Sequence, residues 1–205
     1  MRRTIVLMLA TLGLCLSGCG PSSVEQTSKD AAPAKTGEKV AEAKDAPPAA
    51  PASNKVIMEV KGDKVVIELR PDLAPKHVER VRQLVGEGFY NGLKFHRVME
   101  GFMAQTGDPT GTGKSGSKYP DLMAEFTQTP FVRGTIGAAR TPDENSANSQ
   151  FFICFTDTGC NTLNGKYTVW GKVVEGMESV DKVKRGAPRS GVVTDPDTIG
   201  KMYLE

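Results

Sequence analysis

The feature that most constrains the fold is a succession of short β-rich runs, broken by glycine and other turn residues, that begins at Lys55. The first two runs cover residues 56–61 and 64–70, and Gly62-Asp63 between them is a strong local signal for a β-hairpin. Many short strands of this kind favour a closed antiparallel barrel, because closure removes exposed sheet edges. The remaining predicted strands cover residues 94–99, 102–106, 133–139, 150–155, 168–174 and 199–204.

Two helices interrupt the predicted strands. Pro75 suits the first turn of a helix, where its missing N–H is harmless, and Gly86 and Gly88 mark the end of that helix. Its apolar face consists of Val78, Val81, Leu84 and Val85. A second, shorter helix fits residues 177–184.

The composition changes sharply before Lys55. Residues 20–54 are dominated by alanine, proline, lysine, glutamate and serine, and they contain no aromatic residue. Such a segment buries too little apolar surface to offset the entropy of ordering, so we expect a disordered tether over residues 19–54. A helix over residues 38–45 is the alternative, but prolines on both sides oppose it. A flexible tether of this length has a root-mean-square reach of roughly 30–35 Å.

The N-terminus has the three parts of a secretory signal peptide: basic residues 2–3, an apolar stretch from Ile5 to Leu16, and a small-residue exit. The apolar stretch is too short to span a bilayer. Its exit, Leu16-Ser17-Gly18-Cys19, resembles a bacterial lipobox, which implies cleavage after residue 18 and acylation of the Cys19 thiol. Gly20 after the acceptor cysteine then implies the outer membrane. An ordinary signal peptide with an incidental Cys19 is the alternative.

The net charge and the small number of histidines and cysteines argue against several classes of function. The net charge is +2 with both signs mixed along the chain, which argues against the clustered basic surface of a nucleic-acid-binding protein. Only 2 histidines and 4 cysteines are present, so few residues are available as nucleophiles or metal ligands. We therefore expect no metal site and no cofactor, and chemistry that makes and breaks covalent bonds is poorly supported.

The loop GDPTGTGKS at residues 107–115 has to be tested as a phosphate-binding loop. A P-loop needs a glycine, four further residues, and then Gly-Lys-Ser or Gly-Lys-Thr. Counting back from Gly113, the required glycine position is occupied by Asp108, and Gly107 is one residue too far. Gly116 and Pro120 also break any helix after the loop, so nucleotide binding is rejected.

Three sequence blocks carry most of the functional information: FHRVMEGFMAQTGDPTGTG at residues 95–113, NSQFFI at 148–153 and LNGKYTVWGKV at 163–173. In this order and spacing they resemble the cyclophilin family of peptidyl-prolyl isomerases. The resemblance runs from Lys55 to near the C-terminus. It implies a mainly β fold, a closed eight-stranded antiparallel barrel with two capping helices, and cis–trans isomerisation of X-Pro bonds.

The implied activity depends on Arg97. An arginine in a strand usually lies on a solvated face, but the matching arginine of cyclophilins points into the substrate groove. Rotation about an X-Pro bond is slow because the nitrogen lone pair is delocalised into the carbonyl. A guanidinium directed at the prolyl nitrogen would favour a pyramidal nitrogen and weaken the partial double bond, with no need for a nucleophile or a metal.

The resemblance implies the remaining site residues. Phe102 and Gln105 join Arg97 as catalytic residues. Gln105 and Gln150, with the backbone near Ala139 and Arg140, would hold the peptide on either side of the proline. The apolar pocket for the proline ring would consist of Phe102, Met103, Phe152, Leu163 and Tyr167. Core packing is the alternative for each apolar residue, and it is favoured for Phe95, Phe131 and Phe151.

Structural roles are expected for the histidines and the two later cysteines. Strand alternation aims His96 away from the face of Arg97, which predicts a packed, hydrogen-bonded side chain. His77, in the first turn of the first helix, is expected to be exposed. Secretion would allow a disulfide between Cys154 and Cys160, but the position of Cys154 in a core strand favours two free thiols.

The sequence therefore predicts a monomeric, lipid-anchored bacterial isomerase with a signal peptide (1–18), a tether (19–54) and an isomerase domain (55–205). Anchored through Cys19 to the periplasmic face of the outer membrane, it would act on proline-containing segments of unfolded or flexible envelope proteins. The alternatives are a non-catalytic module that grips proline segments as a chaperone or scaffold, and a structural lipoprotein that only reuses the fold. The sequence identifies neither the client proteins nor the residue preferred before proline.

Overall fold

The structure is a computed structural model and describes residues 53–205. The predicted signal peptide, the lipobox and nearly all of the predicted tether lie outside the described residues. Eight strands, two α-helices and one 3₁₀ helix fill the described range. In chain order they are β1 (Lys55–Val60), β2 (Asp63–Leu69), α1 (Pro75–Gly86), β3 (Arg97–Met99), β4 (Met103–Thr106), β5 (Thr135–Ala138), β6 (Phe151–Cys154), the 3₁₀ helix (Asn161–Leu163), β7 (Val169–Glu175), α2 (Met177–Asp181) and β8 (Ile199–Leu204).

The first two strands form the predicted hairpin, with its turn one residue earlier than expected. Val60 pairs with Asp63, so the two loop residues are Lys61 and Gly62. Both have positive φ angles, 54° and 88°, as a type I′ turn requires. The mirror-image turn matches the right-handed twist of the strands and fixes their register.

All eight strands belong to one curled antiparallel sheet in the order β3-β4-β6-β5-β7-β2-β1-β8. The prediction of a mainly β fold with eight antiparallel strands and two helices is confirmed. The strands at the two ends of this order, β3 and β8, share no ladder. Isolated bridges join Lys94 to Thr198 and Arg97 to Val192 in this region. Closure into a complete barrel therefore stays a prediction.

The main core fills the inside of the curled sheet and is covered by α1. The helix buries the predicted face of Val78, Val81, Leu84 and Val85. Against it lies a chain of aromatic edge-to-face contacts, in which the ring of Phe151 is 5.6 Å from that of Tyr90 and 5.4 Å from that of Trp170. The second helix is shorter than predicted and ends at Asp181. In residues 53–205 no helix is long and apolar enough to cross a bilayer.

The prediction of an exposed His77 is wrong, because its side chain is only 3% exposed. The helix N-cap residue, Ala74, has no side chain that could accept a hydrogen bond. The carboxylate of Glu125 takes this role from a distant loop and accepts the backbone N–H groups of Lys76 and His77 at 3.1 and 3.0 Å. It also lies 2.6 Å from Nδ1 of His77. The histidine is thus turned inward by the group that caps its helix.

The His77–Glu125 pair should make the fold sensitive to acid. Burial lowers the pKa of His77 although the bond to Glu125 opposes this, so the ring is neutral and donates Nδ1–H to the carboxylate. Burial raises the pKa of Glu125, but the hydrogen bonds from His77 and the two backbone N–H groups lower it by more. Groups whose folded pKa is depressed stabilise the fold above their unfolded pKa, and this contribution is lost as the pH falls. The ordinary pKa is 6.5 for the histidine and 4.5 for the glutamate.

We expect Glu125→Ala to lower the free energy of unfolding by about 1–2 kcal/mol at pH 7, because a helix loses its cap and two backbone N–H groups lose their acceptor. Chemical denaturation measures the difference. Glu79→Ala, on the exposed face of the same helix, is the control and should change stability by less than about 0.5 kcal/mol. The gap between wild type and Glu125→Ala should narrow as the pH falls below about 4.5, and a gap that goes on widening below that pH would contradict this account.

Candidate active site

The register of three strands brings the predicted catalytic side chains together. In the β3–β4 ladder Arg97 lies opposite Gln105, and in the β4–β6 ladder Gln105 lies opposite Phe152. Residues directly opposite one another in antiparallel strands project from the same face of the sheet. The three side chains therefore share the outer face, away from the main core.

A cavity of about 190 Å³ opens on this face and is called the Arg97 cavity below. Nine of the ten predicted catalytic and substrate-binding residues line it: Arg97, Phe102, Met103, Gln105, Ala139, Arg140, Phe152, Leu163 and Tyr167. The tenth, Gln150, lines an adjoining cavity of about 270 Å³. The two cavities share the wall formed by Gln105, Ala139 and Arg140. Residues that are far apart in sequence thus form one continuous groove.

The floor of the Arg97 cavity is apolar and belongs to a second, smaller hydrophobic cluster. Phe152 is stacked on Phe131 with ring centroids 5.5 Å apart. The ring of Tyr167 lies nearly perpendicular to that of Phe152, with 5.7 Å between their centroids. A Cβ atom at Gly137 would come within 2.4 Å of the Phe152 ring and 2.6 Å of the Phe131 ring. A glycine is therefore needed beneath this stack, and the cavity can offer a broad aromatic surface to a small apolar ring.

Three acceptors from different parts of the chain hold the guanidinium of Arg97. Its Nε donates to the carbonyl oxygen of Ser190 at 3.1 Å, and Nη1 donates to Oε1 of Gln105 at 3.3 Å. Nη2 lies 3.0 Å from the sulfur of Met99. A guanidinium has five N–H groups, so these three contacts leave two for a bound molecule. The side chain is half-buried and fixed in direction before any ligand arrives.

A relay of amide hydrogen bonds continues from Arg97 along the groove. Gln105 donates from Nε2 to Oε1 of Gln150 at 3.0 Å, and Gln150 donates from Nε2 to the carbonyl oxygen of Ser115 at 2.7 Å. Each amide is an acceptor on one side and a donor on the other, so the oxygen and nitrogen positions are determined. The relay ends on the loop at residues 107–115, called the glycine-rich loop from here on. The conformation of this loop therefore affects the position of Gln105.

Asp108 organises that loop. Its side chain is 1% exposed, and backbone N–H groups point at its carboxylate from five positions within 3.4 Å: Thr110, Thr112, Gly113, Lys114 and Ser115. Burial alone would raise the pKa of Asp108, but these hydrogen bonds outweigh it and lower the pKa to about 2. Asp108 is also the residue that rules out a P-loop sequence. Its carboxylate accepts the N–H groups of the loop in the way that a bound anion would.

Arg140 joins two walls of the Arg97 cavity. Its Nε and Nη2 both donate to the carbonyl oxygen of Lys166, at 3.3 and 3.0 Å, and Nη1 donates to the carbonyl of Thr141 at 2.9 Å. Its guanidinium carbon lies 4.5 Å from the centre of the Tyr167 ring. The backbone N–H of Ala139 already donates to the carbonyl of Gln150 at 2.9 Å. At Ala139 only the carbonyl group is left for a peptide.

Two further predictions need correction. Cys154 and Cys160 form a disulfide, so the expectation of two free thiols is wrong. A loop after β6 returns Cys160 to the end of the strand, with 6.2 Å between the two Cα atoms. His96 is buried as predicted, but neither of its ring nitrogens has a hydrogen-bond partner among the described residues. It packs beneath the glycine-rich loop, where a Cβ on Gly113 would lie 3.4 Å from its ring.

Sequence reasoning missed the residues that position the site. The sequence Asp108-Pro109-Thr110 is typical of an Asx turn and could have indicated a carboxylate that binds its own loop. The contact between Ser190 and Arg97 had no such local signal, because the acceptor is a backbone carbonyl 93 residues away in the sequence. No three His, Cys, Asp or Glu side chains within residues 53–205 lie close enough to hold a metal ion.

Comparison with known proteins decides the family. Residues 55–204 match the family model of the cyclophilin-type peptidyl-prolyl cis-trans isomerases. The chain is a member of this cyclophilin family. A probable peptidyl-prolyl cis-trans isomerase of Brucella suis is 54% identical over 169 residues, which cover 77% of this chain and 85% of the relative. A peptidyl-prolyl cis-trans isomerase of Helicobacter pylori is 40% identical over 136 residues, covering 64% of this chain and 82% of the relative.

Solved cyclophilins have the same fold. A cyclophilin-type isomerase of Cryptosporidium parvum, crystallised in the presence of the dipeptide Ala-Pro, matches with a TM-score of 0.67 and 27% identity, over 74% of this chain and 98% of that one. A cyclophilin of Hirschia baltica matches with a TM-score of 0.66 and 28% identity, over 74% of each chain. The chain is thus a cyclophilin-type peptidyl-prolyl cis-trans isomerase, as the sequence blocks predicted.

Asp108→Asn should destabilise this cyclophilin, because the amide lacks the charge that gathers the loop. The shift from the ordinary pKa of 3.8 to about 2 corresponds to about 2 kcal/mol. This contribution should be present above about pH 4 and lost as the pH falls towards 2, since the folded pKa is the lower one. Denaturant unfolding at pH 7 and pH 3 tests it against Asp195→Asn, whose side chain is 97% exposed. Equal stability of the two variants at pH 7 would contradict it.

Proposed function

We propose that this isomerase binds proline-containing segments of envelope proteins in the groove, with the proline ring in the Arg97 cavity. The observation that carries the proposal is the cavity itself, which combines an apolar aromatic floor with one fixed guanidinium at its side. The related cyclophilin crystallised in the presence of Ala-Pro supports a proline ligand for this fold. The adjoining cavity, lined by Gln150 and the glycine-rich loop, would receive the neighbouring part of the peptide.

In this proposal Arg97 supplies the polar part of the catalysis. The C–N bond before proline resists rotation because of its partial double-bond character, with a barrier of about 18–20 kcal/mol. As the bond twists, the nitrogen lone pair is no longer shared with the carbonyl and becomes a hydrogen-bond acceptor. One of the two remaining N–H groups of Arg97 would donate to it. No bond is made or broken, so the residues act only by binding the twisted state.

Magnitudes show why the apolar residues are also needed. Uncatalysed isomerisation takes tens of seconds, and reaching the millisecond range requires about 7 kcal/mol. One hydrogen bond from a charged donor contributes only about 1.5–3 kcal/mol. The remainder has to come from a cavity that binds the twisted peptide better than either planar isomer. We assign this to Phe102, Met103, Phe152, Leu163 and Tyr167, with Gln105 and Gln150 holding the flanking peptide.

We further propose that the protein is exported and held at the outer membrane by acyl chains on Cys19. The lipobox sequence at residues 16–19 supports the anchor, and the disulfide between Cys154 and Cys160 supports an oxidising compartment, where such bonds persist. A tether with a reach of roughly 30–35 Å would let the isomerase search for clients near the membrane surface.

Arg97→Ala tests catalysis. We expect kcat/KM for cis–trans exchange of a short Ala-Pro peptide to fall about 10- to 100-fold, which corresponds to the loss of one charged hydrogen bond. Exchange can be measured by NMR, with the melting temperature as a check on folding. Arg82→Ala, on helix α1 outside the groove, is the matched control and should keep wild-type activity. Near-normal exchange in folded Arg97→Ala would show that catalysis does not work through this residue, whereas a folded wild type without exchange activity would favour a non-catalytic peptide-binding module.

Cys19→Ser tests the anchor. Each acyl chain contributes about 0.8 kcal/mol per buried CH₂ group, and more than one chain makes attachment stable. We expect wild type to fractionate with membranes and to carry lipid mass, whereas Cys19→Ser should give soluble protein or unprocessed precursor. Cys15→Ser, within the predicted signal peptide, is the control and should still be anchored. Wild type without lipid mass in the soluble fraction would contradict the proposal.

A further inference from the structure

The Cys154–Cys160 disulfide lies under the Arg97 cavity and touches its lining from two sides. Both cysteines are fully buried, in the same hydrophobic cluster as the cavity floor. Cys154 is the last residue of β6 and pairs directly with Met103 of β4. The sulfur of Cys160 lies 3.4 Å from the carbonyl oxygen of Phe102. A disulfide sulfur carries no proton, so this last contact is packing and not a hydrogen bond.

Cys160 also begins the segment that forms one wall of the cavity. Its carbonyl oxygen accepts the N–H of Leu163 at 2.9 Å and so starts the 3₁₀ helix at Asn161–Leu163. This helix is a single turn and contains no buried residue. Leu163 nevertheless lines the Arg97 cavity. A turn with so little burial of its own depends on its attachments, and the disulfide is the covalent one.

We propose that the disulfide is a positioning element of the Arg97 cavity, so that the isomerase gains its full affinity for proline segments only when Cys154 and Cys160 are oxidised. The inference rests on the proposed function, in which this cavity receives the proline ring. With the bond in place, the 3₁₀ turn that carries Leu163 is held beside the Phe102 carbonyl and the Cys154–Met103 pair. Without it, a bound peptide has to order the 3₁₀ turn each time, and that loss of entropy weakens binding.

The bond should affect binding more than the catalytic step. Arg97 is fixed by Gln105, Met99 and Ser190, and none of these residues is attached through the disulfide. The guanidinium therefore keeps its position when the 3₁₀ turn loosens. The expected signature is a higher KM with little change in kcat, whereas loss of the whole fold would remove both.

The proposal also couples activity to export. Thiols stay reduced in the cytosol and disulfides persist outside it. A precursor that has not left the cytosol would hold two thiols at this position and bind proline segments weakly. Oxidation after export would then complete the cavity in the compartment where the clients are.

The experiment compares oxidised wild type, reduced wild type and Cys160→Ala, all as full-length chains. Because both sulfurs are buried, reduction requires unfolding and refolding with dithiothreitol, whose two thiols are oxidised as the cystine takes up two electrons and two protons. Alkylation and mass spectrometry count the free thiols. Exchange on an Ala-Pro peptide gives KM and kcat below the melting temperature of each sample.

We expect KM to rise about two- to tenfold in reduced wild type and in Cys160→Ala, with kcat unchanged within about twofold. The double variant Cys154→Ala/Cys160→Ala retains Cys15 and Cys19 and should not respond to dithiothreitol, so it shows that the effect comes from this pair. It also replaces Cys160→Ala if that variant does not fold.

Two results would overturn the proposal. One is folded wild type, prepared in air, in which both cysteines are alkylated without prior reduction. The other is a KM that is the same in all folded samples; a lower melting temperature without the bond would then assign the disulfide to stability alone. If oxidised wild type shows no exchange activity, the proposed function fails, and that outcome differs from activity that ignores the redox state.

Discussion

The hydrogen-bonded position of β4 between β3 and β6 is the constraint on which the site depends. Along β4 the side chains alternate: Met103 and Gln105 face the Arg97 cavity, and Ala104 and Thr106 are buried on the other side. The same alternation along β6 sends Phe151 into the main core and Phe152 to the cavity floor. A slip of one residue would exchange the two sets of side chains, so core packing and site geometry are fixed by the same register.

A second constraint acts on the polar groups. Arg97 is held by acceptors from β3, from β4 and from the loop before β8. Gln105 donates in turn to Gln150, which donates to the glycine-rich loop. Each group that would meet a peptide therefore has its direction set before binding. Preorganised donors need no rearrangement when charge or lone-pair density develops on a bound molecule. For a reaction without covalent chemistry, this is the main contribution that polar residues can make.

Local patterns predicted the elements well, because each pattern is caused by local physics. The β1–β2 hairpin follows from alternation and a turn that accepts positive φ, and α1 follows from Pro75 and its apolar stripe. The lining of the Arg97 cavity came from the resemblance, since only the folded sheet brings these residues together. The errors concern contacts across the chain. Glu125 caps α1 from 48 residues away, and no helix pattern around His77 reveals it. The pairing of Cys154 with Cys160 likewise depends on the path of the loop between them.

The edges of the sheet have a consequence for how the molecule meets other polypeptides. An edge strand offers unpaired N–H and C=O groups to any extended segment nearby. Here β3 has only three residues, and the outer N–H and C=O of Val98 are already bonded to Gly191 and Gly186. At the other end of the sheet, Ile199 exchanges hydrogen bonds with Gly92 and Leu93. An extended segment of another chain therefore finds little free backbone at these places. At these two positions the sheet offers little template for the edge-to-edge pairing that leads to aggregation.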